Sequence, residues 1–184
     1  MAQATDPELA GPRATEALGE VLADAVRLRL RADVPVAAYL SGGLDSSLVC
    51  SLAQEALGGT LSTFSVAFED ERFDERRFQE EVAAALRTRH RAVSIGDHDI
   101  GELLPEMVEK GEQLVLRSAP APLLRLSQLV RDNATRVVLT GEGSDEILLG
   151  YDLYRETQVR AFWARRPSSR MRPATTEPGS RDTS

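Results

Sequence analysis

The chain has 184 residues, 42% hydrophobic and 28% charged, which is enough for one soluble domain with its own core. The net charge of −7 disfavours a nucleic-acid partner, and one cysteine with two histidines excludes an intrachain disulfide and a structural zinc site. There is no signal-peptide pattern and no apolar run near the ~20 residues that span a bilayer, so we expect a cytoplasmic protein with no membrane partner.

Along the chain, helical and strand-like patterns alternate after a polar lead-in at residues 1–13. The predicted strands are residues 36–40, 61–68, 91–95 and 136–140. The predicted helices are residues 14–31, 47–57, 100–110 and 123–131, with a weak helical pattern over 147–166. A further helix is predicted after Asp74, which caps it, and its buried stripe is Phe78, Val82, Ala85 and Leu86. Residues 167–184 are rich in Pro, Ser, Thr and Arg without a period, so we predict a disordered tail.

The segment Ser41–Ser46 (SGGLDS) is a glycine-rich turn between the first predicted strand and a helix. Gly42 and Gly43 let backbone N–H groups approach an anion, and a helix start offers unpaired N–H groups at its positive end. Asp45 beside a phosphate makes chemical sense with a divalent cation between them. The turn predicts a phosphate site, with an ordinary strand-to-helix turn as the alternative.

The fourth predicted strand runs into a second such turn, residues 141–146 (GEGSDE). Alternating strands and helices predict an α/β fold, with a doubly wound, mostly parallel sheet covered by helices on both faces. We predict that the first strand is central, with the second and third on one side and the fourth on the other. The two turns then emerge side by side at the carboxyl edge of the sheet and face one pocket.

The two motifs SGGLDSS and GEGSDE, followed by Gly150-Tyr151, resemble the synthetase domain of asparagine synthetases, which are N-type ATP pyrophosphatases. The similarity covers about residues 14–155 and includes RLRADVP at 29–35 and FDE at 73–75. It implies an adenine nucleotide α-hydrolase-like fold, here as a partial domain over residues 14–166. It also implies ATP and Mg²⁺ as cofactors. The expected reaction is attack of a carboxylate, that of aspartate in the family, on the α-phosphorus, after which ammonia displaces AMP to form an amide.

The resemblance also implies roles for individual residues. Glu142 would remove a proton from the attacking amine, with helix capping as its alternative, and Arg117 would contact phosphate or aspartate unless it forms a surface ion pair. Asp145 would share Mg²⁺ with Asp45 and act in catalysis. The expected nucleotide-binding residues are Leu40, Ser41, Gly42, Gly43, Asp45, Ser46, Val66 and Gly141, with the backbone of Leu40 and Val66 at the adenine.

The chain departs from the family pattern in three ways. Ala2 stands where the family's glutaminase domain has a cysteine, so we do not expect glutamine hydrolysis. Lys110, the only lysine, precedes the second motif, whereas the family has a lysine late in a further helical half, and Glu112 replaces a family aspartate. Three hypotheses follow: a synthetase half completed by a glutaminase or helical half on another chain, a non-catalytic partner-binding remnant, and a relative of β-lactam synthetases or peptide cyclases.

Overall fold

A computed structural model describes residues 11–112 and 117–165, so the predicted tail and most of the predicted lead-in lie outside the described residues. The described strands are β1 Val36–Tyr39, β2 Ser62–Phe68, β3 Arg89–Ile95 and β4 Val137–Leu139. The described helices are α1 Pro12–Arg29, α2 Leu44–Leu57, α3 Arg76–Leu86, α4 Asp97–Gly111, α5 Pro120–Asp132, α6 Ser144–Leu148 and α7 Asp152–Arg165. In these two ranges, no helix is both long and apolar enough to cross a membrane. The chain divides into two compact units, residues 1–142 and 143–184.

The first unit contains one parallel sheet with the strand order β3-β2-β1-β4. This order confirms the prediction that the first strand is central, with the fourth strand alone on one side. The third strand begins at Arg89 rather than at residue 91, because its register with β2 starts at the Ser62–Arg89 pair. Short β4 pairs with β1 from Val137 to Leu139, two residues before Gly141.

Helices cover both faces of the sheet, as predicted. Neighbouring residues Ala37 and Ala38 of β1 belong to different apolar clusters because side chains alternate between the faces of a strand. On one face, α1, α2 and α3 pack on the sheet, and on the other α4 and α5 do so. The first face buries Val26, Ala38, Leu40, Cys50, Ala53, Leu61 and Ala83. The second buries Ala37, Phe64, Leu126 and Val130, next to a cluster of Ile95, Leu103, Met107 and Ala121.

The prediction for the buried face of α3 is confirmed for Val82 and Leu86, which pack against the first apolar cluster, and was wrong for Phe78 and Ala85. Phe78 is 55% exposed and Ala85 is exposed, whereas Gln79 and Ala83 are buried. The apolar pattern predicted that Phe78 would be buried, because hydrophobic spacing alone does not indicate that a glutamine can occupy a buried position. Gln79 tolerates burial because its Nε2 donates a hydrogen bond to the backbone oxygen of Val66 at 2.9 Å.

Three other predicted helices differ from those observed. The helix expected at 100–110 begins at Asp97, since Gly96 caps it with Asp99 accepting the Gly96 N–H at 2.8 Å. The helix expected at 123–131 begins at Pro120, a residue well suited to a first turn. The weak pattern over 147–166 forms two helices, because Leu149 adopts a positive φ of 60° that ends α6.

His90 on β3 makes the stability of the first unit depend on pH. Its Nδ1 lies 3.1 Å from Thr63 Oγ1, and burial lowers the pKa of His90 below its ordinary value of 6.5. The unfolded chain therefore binds this proton more readily, so the free energy of unfolding falls as pH drops below about 6.5 toward the lowered pKa.

We expect His90→Gln to lose part of this pH dependence. Urea unfolding at about pH 5 and about pH 7.5 gives the free energy of unfolding at each pH. An equal change in this free energy between the two pH values for both proteins would contradict the prediction.

Candidate functional site

The turn between β1 and α2 is closed by its own hydroxyl groups. Ser41 Oγ and Ser46 Oγ lie 2.8 Å apart, and the N–H of Ser41 donates to Ser46 Oγ at 3.2 Å. The N–H of Gly43 donates to Ser41 Oγ at 3.2 Å. The two serines predicted to bind phosphate therefore also fix the shape of the turn.

The start of α2 leaves backbone donors without a side-chain cap. Gly43 is the N-cap residue, and because glycine has no side chain, no side-chain hydrogen bond caps the first turn. The first N–H groups of a helix have no partner inside it, and the helix dipole adds positive potential there. Asp45 lies in this first turn and is half-buried. The donor set fits a polyphosphate, and Asp45 fits a cation bound to one.

Gly42 is a position that only glycine fills without a backbone shift. Its φ is +87°, and a Cβ there would lie 2.8 Å from Phe78 Cβ and 3.0 Å from the backbone nitrogen of Gln79. The start of α3 thus packs directly on the turn. This contact leaves backbone, rather than side chain, lining the turn at Gly42.

Gly141 brings the second turn against the first. A Cβ at Gly141 would lie 3.0 Å from the Ser46 nitrogen and 3.2 Å from the carbonyl carbon of Asp45. Because β4 is the neighbour of β1, the residues after β4 meet the start of α2. Glu142 follows and is exposed. The two predicted turns therefore meet in the first unit, at Gly141.

The two residues predicted to contact adenine lie where β1 and β2 end. Leu40 is 1% exposed as a whole residue, so neither its side chain nor its backbone is open to solvent in this structure. The Leu40 N–H donates to the Phe64 oxygen at 3.0 Å. Val66 is half-buried, and its carbonyl accepts from Gln79 Nε2. Sequence reasoning missed Gln79, and the signal that could have found it is a polar residue interrupting the apolar side of α3.

Arg117 lines a cavity of about 1230 Å³ at the carboxyl ends of β2 and β3. Phe78, which packs on Gly42, is another wall residue of this cavity. Within residues 11–112 and 117–165, no ion pair involves Arg117. The other arginine of the wall, Arg72, binds Asp70 through Nε at 3.0 Å, and this pairing lowers the pKa of Asp70. Arg117 is thus available to an anionic group in the cavity.

Asp145 belongs to the second unit, in the first turn of α6. Gly150 packs against its side chain, since a Cβ at Gly150 would overlap Asp145 Oδ1, and the Gly150 N–H donates to the Asp145 carbonyl at 3.0 Å. The neighbouring Glu146 accepts a hydrogen bond from Tyr151 Oη at 2.8 Å. Across the described ranges, no three His, Cys, Asp or Glu side chains are grouped to hold a metal ion. A cation at Asp45 or Asp145 would therefore need further oxygen ligands, such as those of a phosphate.

The parallel sheet, the uncapped α2 and the glycine turns define an α/β protein whose edge between β1 and β4 carries backbone donors of the kind that suit an anion. The asparagine synthase family model matches residues 17–182, and the chain belongs to that family. The matched region begins near the predicted start of the domain and extends beyond its predicted end at residue 166.

Individual relatives agree with the family. Asparagine synthetase (glutamine-hydrolyzing) 1 of Bacillus subtilis is 36% identical over 149 residues, which are 81% of this chain and 23% of that protein. A putative asparagine synthetase of Mycobacterium bovis is 39% identical over 136 residues, 74% of this chain and 21% of that protein. Amidase chry2 of Gibberella zeae is 36% identical over 156 residues, 77% of this chain and 23% of that protein. The chain thus spans less than a quarter of these relatives.

Among solved structures, an NH3-dependent NAD synthetase from Campylobacter jejuni has a TM-score of 0.49 and 20% identity, covering 74% of this chain and 60% of that one. The NMN synthetase of Francisella tularensis has a TM-score of 0.46 and 17% identity, covering 67% of this chain and 52% of that one.

Proposed function

We propose that this chain is an ATP-dependent, amide-forming synthetase domain, extending over residues 14–166. It activates a carboxylate as an acyl-adenylate with release of pyrophosphate, and an amine then forms the amide. The observation that supports this best is the close packing of Gly141 on the start of α2, where an added Cβ would lie 3.0 Å from the Ser46 nitrogen and 3.2 Å from the Asp45 carbonyl carbon. That contact joins two acid-bearing glycine turns at the sheet edge where parallel α/β proteins bind ligands.

In this proposal the first turn binds the triphosphate. The backbone of Gly42, Gly43 and the first turn of α2 donates to the β- and γ-phosphates, and Ser41 and Ser46 hold the turn in shape or reorient toward them. The backbones of Leu40, Val66 and Gly141 border the adenosine. Asp45 and Asp145 would hold Mg²⁺, which neutralises the charge that develops as pyrophosphate leaves.

Two further residues act on the acceptor side. Glu142 is exposed directly after Gly141, and its carboxylate is suited to take the proton that the attacking amine loses. Arg117 lines the adjacent cavity and binds the carboxylate that is to be activated. Held in this way, the carboxylate oxygen and the α-phosphorus react as neighbours rather than by chance encounter.

The acceptor we propose is aspartate and the amine is ammonia, because relatives at 36–39% identity are named asparagine synthetases. Those relatives are described as glutamine-hydrolyzing, so a glutaminase domain on the same or another polypeptide is the proposed source of ammonia. A complementary helical half is a second proposed partner. The proposed location is the cytoplasm.

A non-catalytic, partner-binding role is the second candidate function. The second unit supports it, since Ile147 is 80% exposed and Leu153 is 66% exposed, and none of the residues described in α6 and α7 is buried. An apolar surface of this kind is typical of an interface. A relative that acts on a different carboxylate remains the third candidate, because this chain is also 36% identical to a protein named Amidase chry2.

Isotope exchange between pyrophosphate and ATP tests the proposal on the full chain. We expect exchange that requires both Mg²⁺ and aspartate, because adenylation is reversible. Glu142→Gln should keep this exchange but slow amide formation from ammonia by about 100-fold, the size typical of a general base. Glu146→Gln is the matched control. Glu146 lies four residues after Glu142 and accepts a hydrogen bond from Tyr151, and its substitution should leave both steps unchanged.

The outcomes separate the candidates. Mg·ATP binding without exchange in the presence of aspartate would reject adenylation by this chain alone, and would favour completion by the proposed helical half or the partner-binding role. Exchange with another carboxylate, but not with aspartate, would favour the third candidate. Loss of exchange in Glu142→Gln would place this side chain in adenylation instead of amine attack.

A further inference from the structure

Gln79 lies where the hydrogen-bond ladder between β1 and β2 stops. The last bond runs from the Leu40 N–H to the Phe64 oxygen, after which the chain leaves the sheet as the Ser41–Ser46 turn. Backbone groups point to alternate sides along a strand, so those of Val66 face β1 as those of Phe64 do. The Val66 carbonyl would next accept from a backbone N–H of β1. Gln79 Nε2 takes that place at 2.9 Å.

The break in the ladder also affects the partner of the Val66 N–H. In a continued ladder that N–H would donate to the Leu40 oxygen, but the Leu40 oxygen accepts from the Ser65 hydroxyl. The N–H and C=O of Val66 therefore form a donor and acceptor pair at the point where β1 turns away. Gln79 contacts the acceptor of this pair, the Val66 oxygen, through Nε2.

The carboxamide of Gln79 is only half satisfied. The residue is 2% exposed, and its Oε1 is buried without a hydrogen-bond partner among the described residues. A buried acceptor left unpaired costs stability, so packing alone does not explain a glutamine here. Gln54 is a contrasting case, because its Nε2 donates to the Gly59 oxygen at 2.7 Å and its Oε1 accepts from the Leu61 N–H at 2.9 Å.

Gln79 also contacts the phosphate-type turn. Its backbone nitrogen lies 3.0 Å from the position that a Cβ on Gly42 would occupy. One residue thus touches both the turn and the edge of Val66. A nucleotide with its phosphates on the turn would bring its sugar and base toward neighbouring parts of the same sheet edge.

We propose that Gln79 determines which nucleobase the site accepts, a proposal that rests on the nucleotide binding proposed above. One hydrogen of an amino group on the base is donated to Oε1 of Gln79, and the other to the Val66 oxygen, whose second lone pair is available beside Nε2. Nε2 keeps its bond to the Val66 oxygen and holds Oε1 toward the base. The unpaired acceptor is then satisfied on binding and no donor is lost. The 6-amino group of adenine supplies two donors, whereas the 6-oxo group of hypoxanthine supplies none and is repelled by both oxygens.

Isothermal titration of the full 184-residue chain with Mg·ATP and Mg·ITP tests this. We expect the unaltered chain to prefer ATP by at least about tenfold, the size of one hydrogen bond of ordinary strength. Gln79→Met should reduce the preference to about threefold or less, mainly by weakening ATP, without lowering the thermal midpoint. Gln54→Met, the control, should lower the midpoint and keep the preference.

Several results would overturn the inference. One is an unchanged ratio of ATP to ITP affinity in Gln79→Met. Another is an equal loss of affinity for both nucleotides together with a lower thermal midpoint, which would assign Gln79 a structural role. If the methionine variant does not fold, Gln79→Ala is titrated instead, and we expect the same ratio of ATP to ITP affinity. Equal affinity of the unaltered chain for ATP and ITP rejects only the role of Gln79, whereas binding of neither nucleotide also rejects the proposed function.

Discussion

We expect Gly141→Val to weaken Mg·ATP binding by about 10- to 100-fold while the chain stays folded. The first atom of the new side chain would lie 3.0 Å from the Ser46 nitrogen and 3.2 Å from the Asp45 carbonyl carbon, both of them backbone atoms. Neither atom moves without displacing the start of α2. The displacement disturbs the backbone donors that we propose to hold the phosphates, and loss of one hydrogen bond to a charged group is worth about 1.5–3 kcal/mol, which is about 10- to 100-fold in affinity.

Isothermal titration measures the affinity, and circular dichroism with a thermal melt shows that the fold is kept. Gly101→Ala in α4 is the matched control, because nothing lies within 4 Å of a Cβ there. It should bind Mg·ATP normally and gain about 0.5–1 kcal/mol in the free energy of unfolding, as helix propensity favours alanine. Normal ATP affinity in Gly141→Val would show that the contact between the two turns is unrelated to the nucleotide.

We expect Asp45→Asn to weaken the effect of Mg²⁺ on ATP binding. In the unaltered chain, Mg²⁺ should strengthen ATP binding because the cation links the Asp45 carboxylate to the phosphates. An amide oxygen lacks the charge for this, so we expect at least a tenfold or so loss of Mg·ATP affinity. The carboxylate also repels a free triphosphate, and the variant should therefore bind ATP in EDTA no worse than the unaltered chain does.

The comparison of ATP titrations with Mg²⁺ and with EDTA, for both proteins, gives the Mg²⁺ effect directly. Asp24→Asn removes the same charge from an exposed site on α1 where the carboxylate pairs with Arg27, and it should keep the full Mg²⁺ effect. A Mg²⁺ effect in Asp45→Asn as large as in the unaltered chain would rule out Asp45 as a ligand.

The strand order and the contact between the turns could be predicted because each follows from a local rule. Short apolar strands that alternate with helices specify a parallel sheet, and two glycine turns at strand ends fit only an order that makes their strands neighbours. The observed order, and the packing of Gly141 on Asp45 and Ser46, agree with this. The roles assigned to Glu142 and Arg117 depend on ligand chemistry and stay predictions.

Other features depend on tertiary contacts that a one-residue-at-a-time pattern does not contain. Gln79 replaced Phe78 on the buried side of α3 because a backbone oxygen at Val66 was available to its amide. Leu149 ends α6 and so divides the last predicted helix in two, through a left-handed conformation that its residue type does not favour. In both cases the decisive partner or geometry is set by the fold around the residue rather than by its own propensity.

The most direct test of the whole account is a titration of the full chain with ATP, with and without Mg²⁺. We expect saturable binding to one site, which Mg²⁺ strengthens and which Gly141→Val weakens. A chain that is folded by circular dichroism yet gives no binding heat and no rise of its thermal midpoint with Mg·ATP would contradict the proposal that the two glycine turns form a nucleotide site.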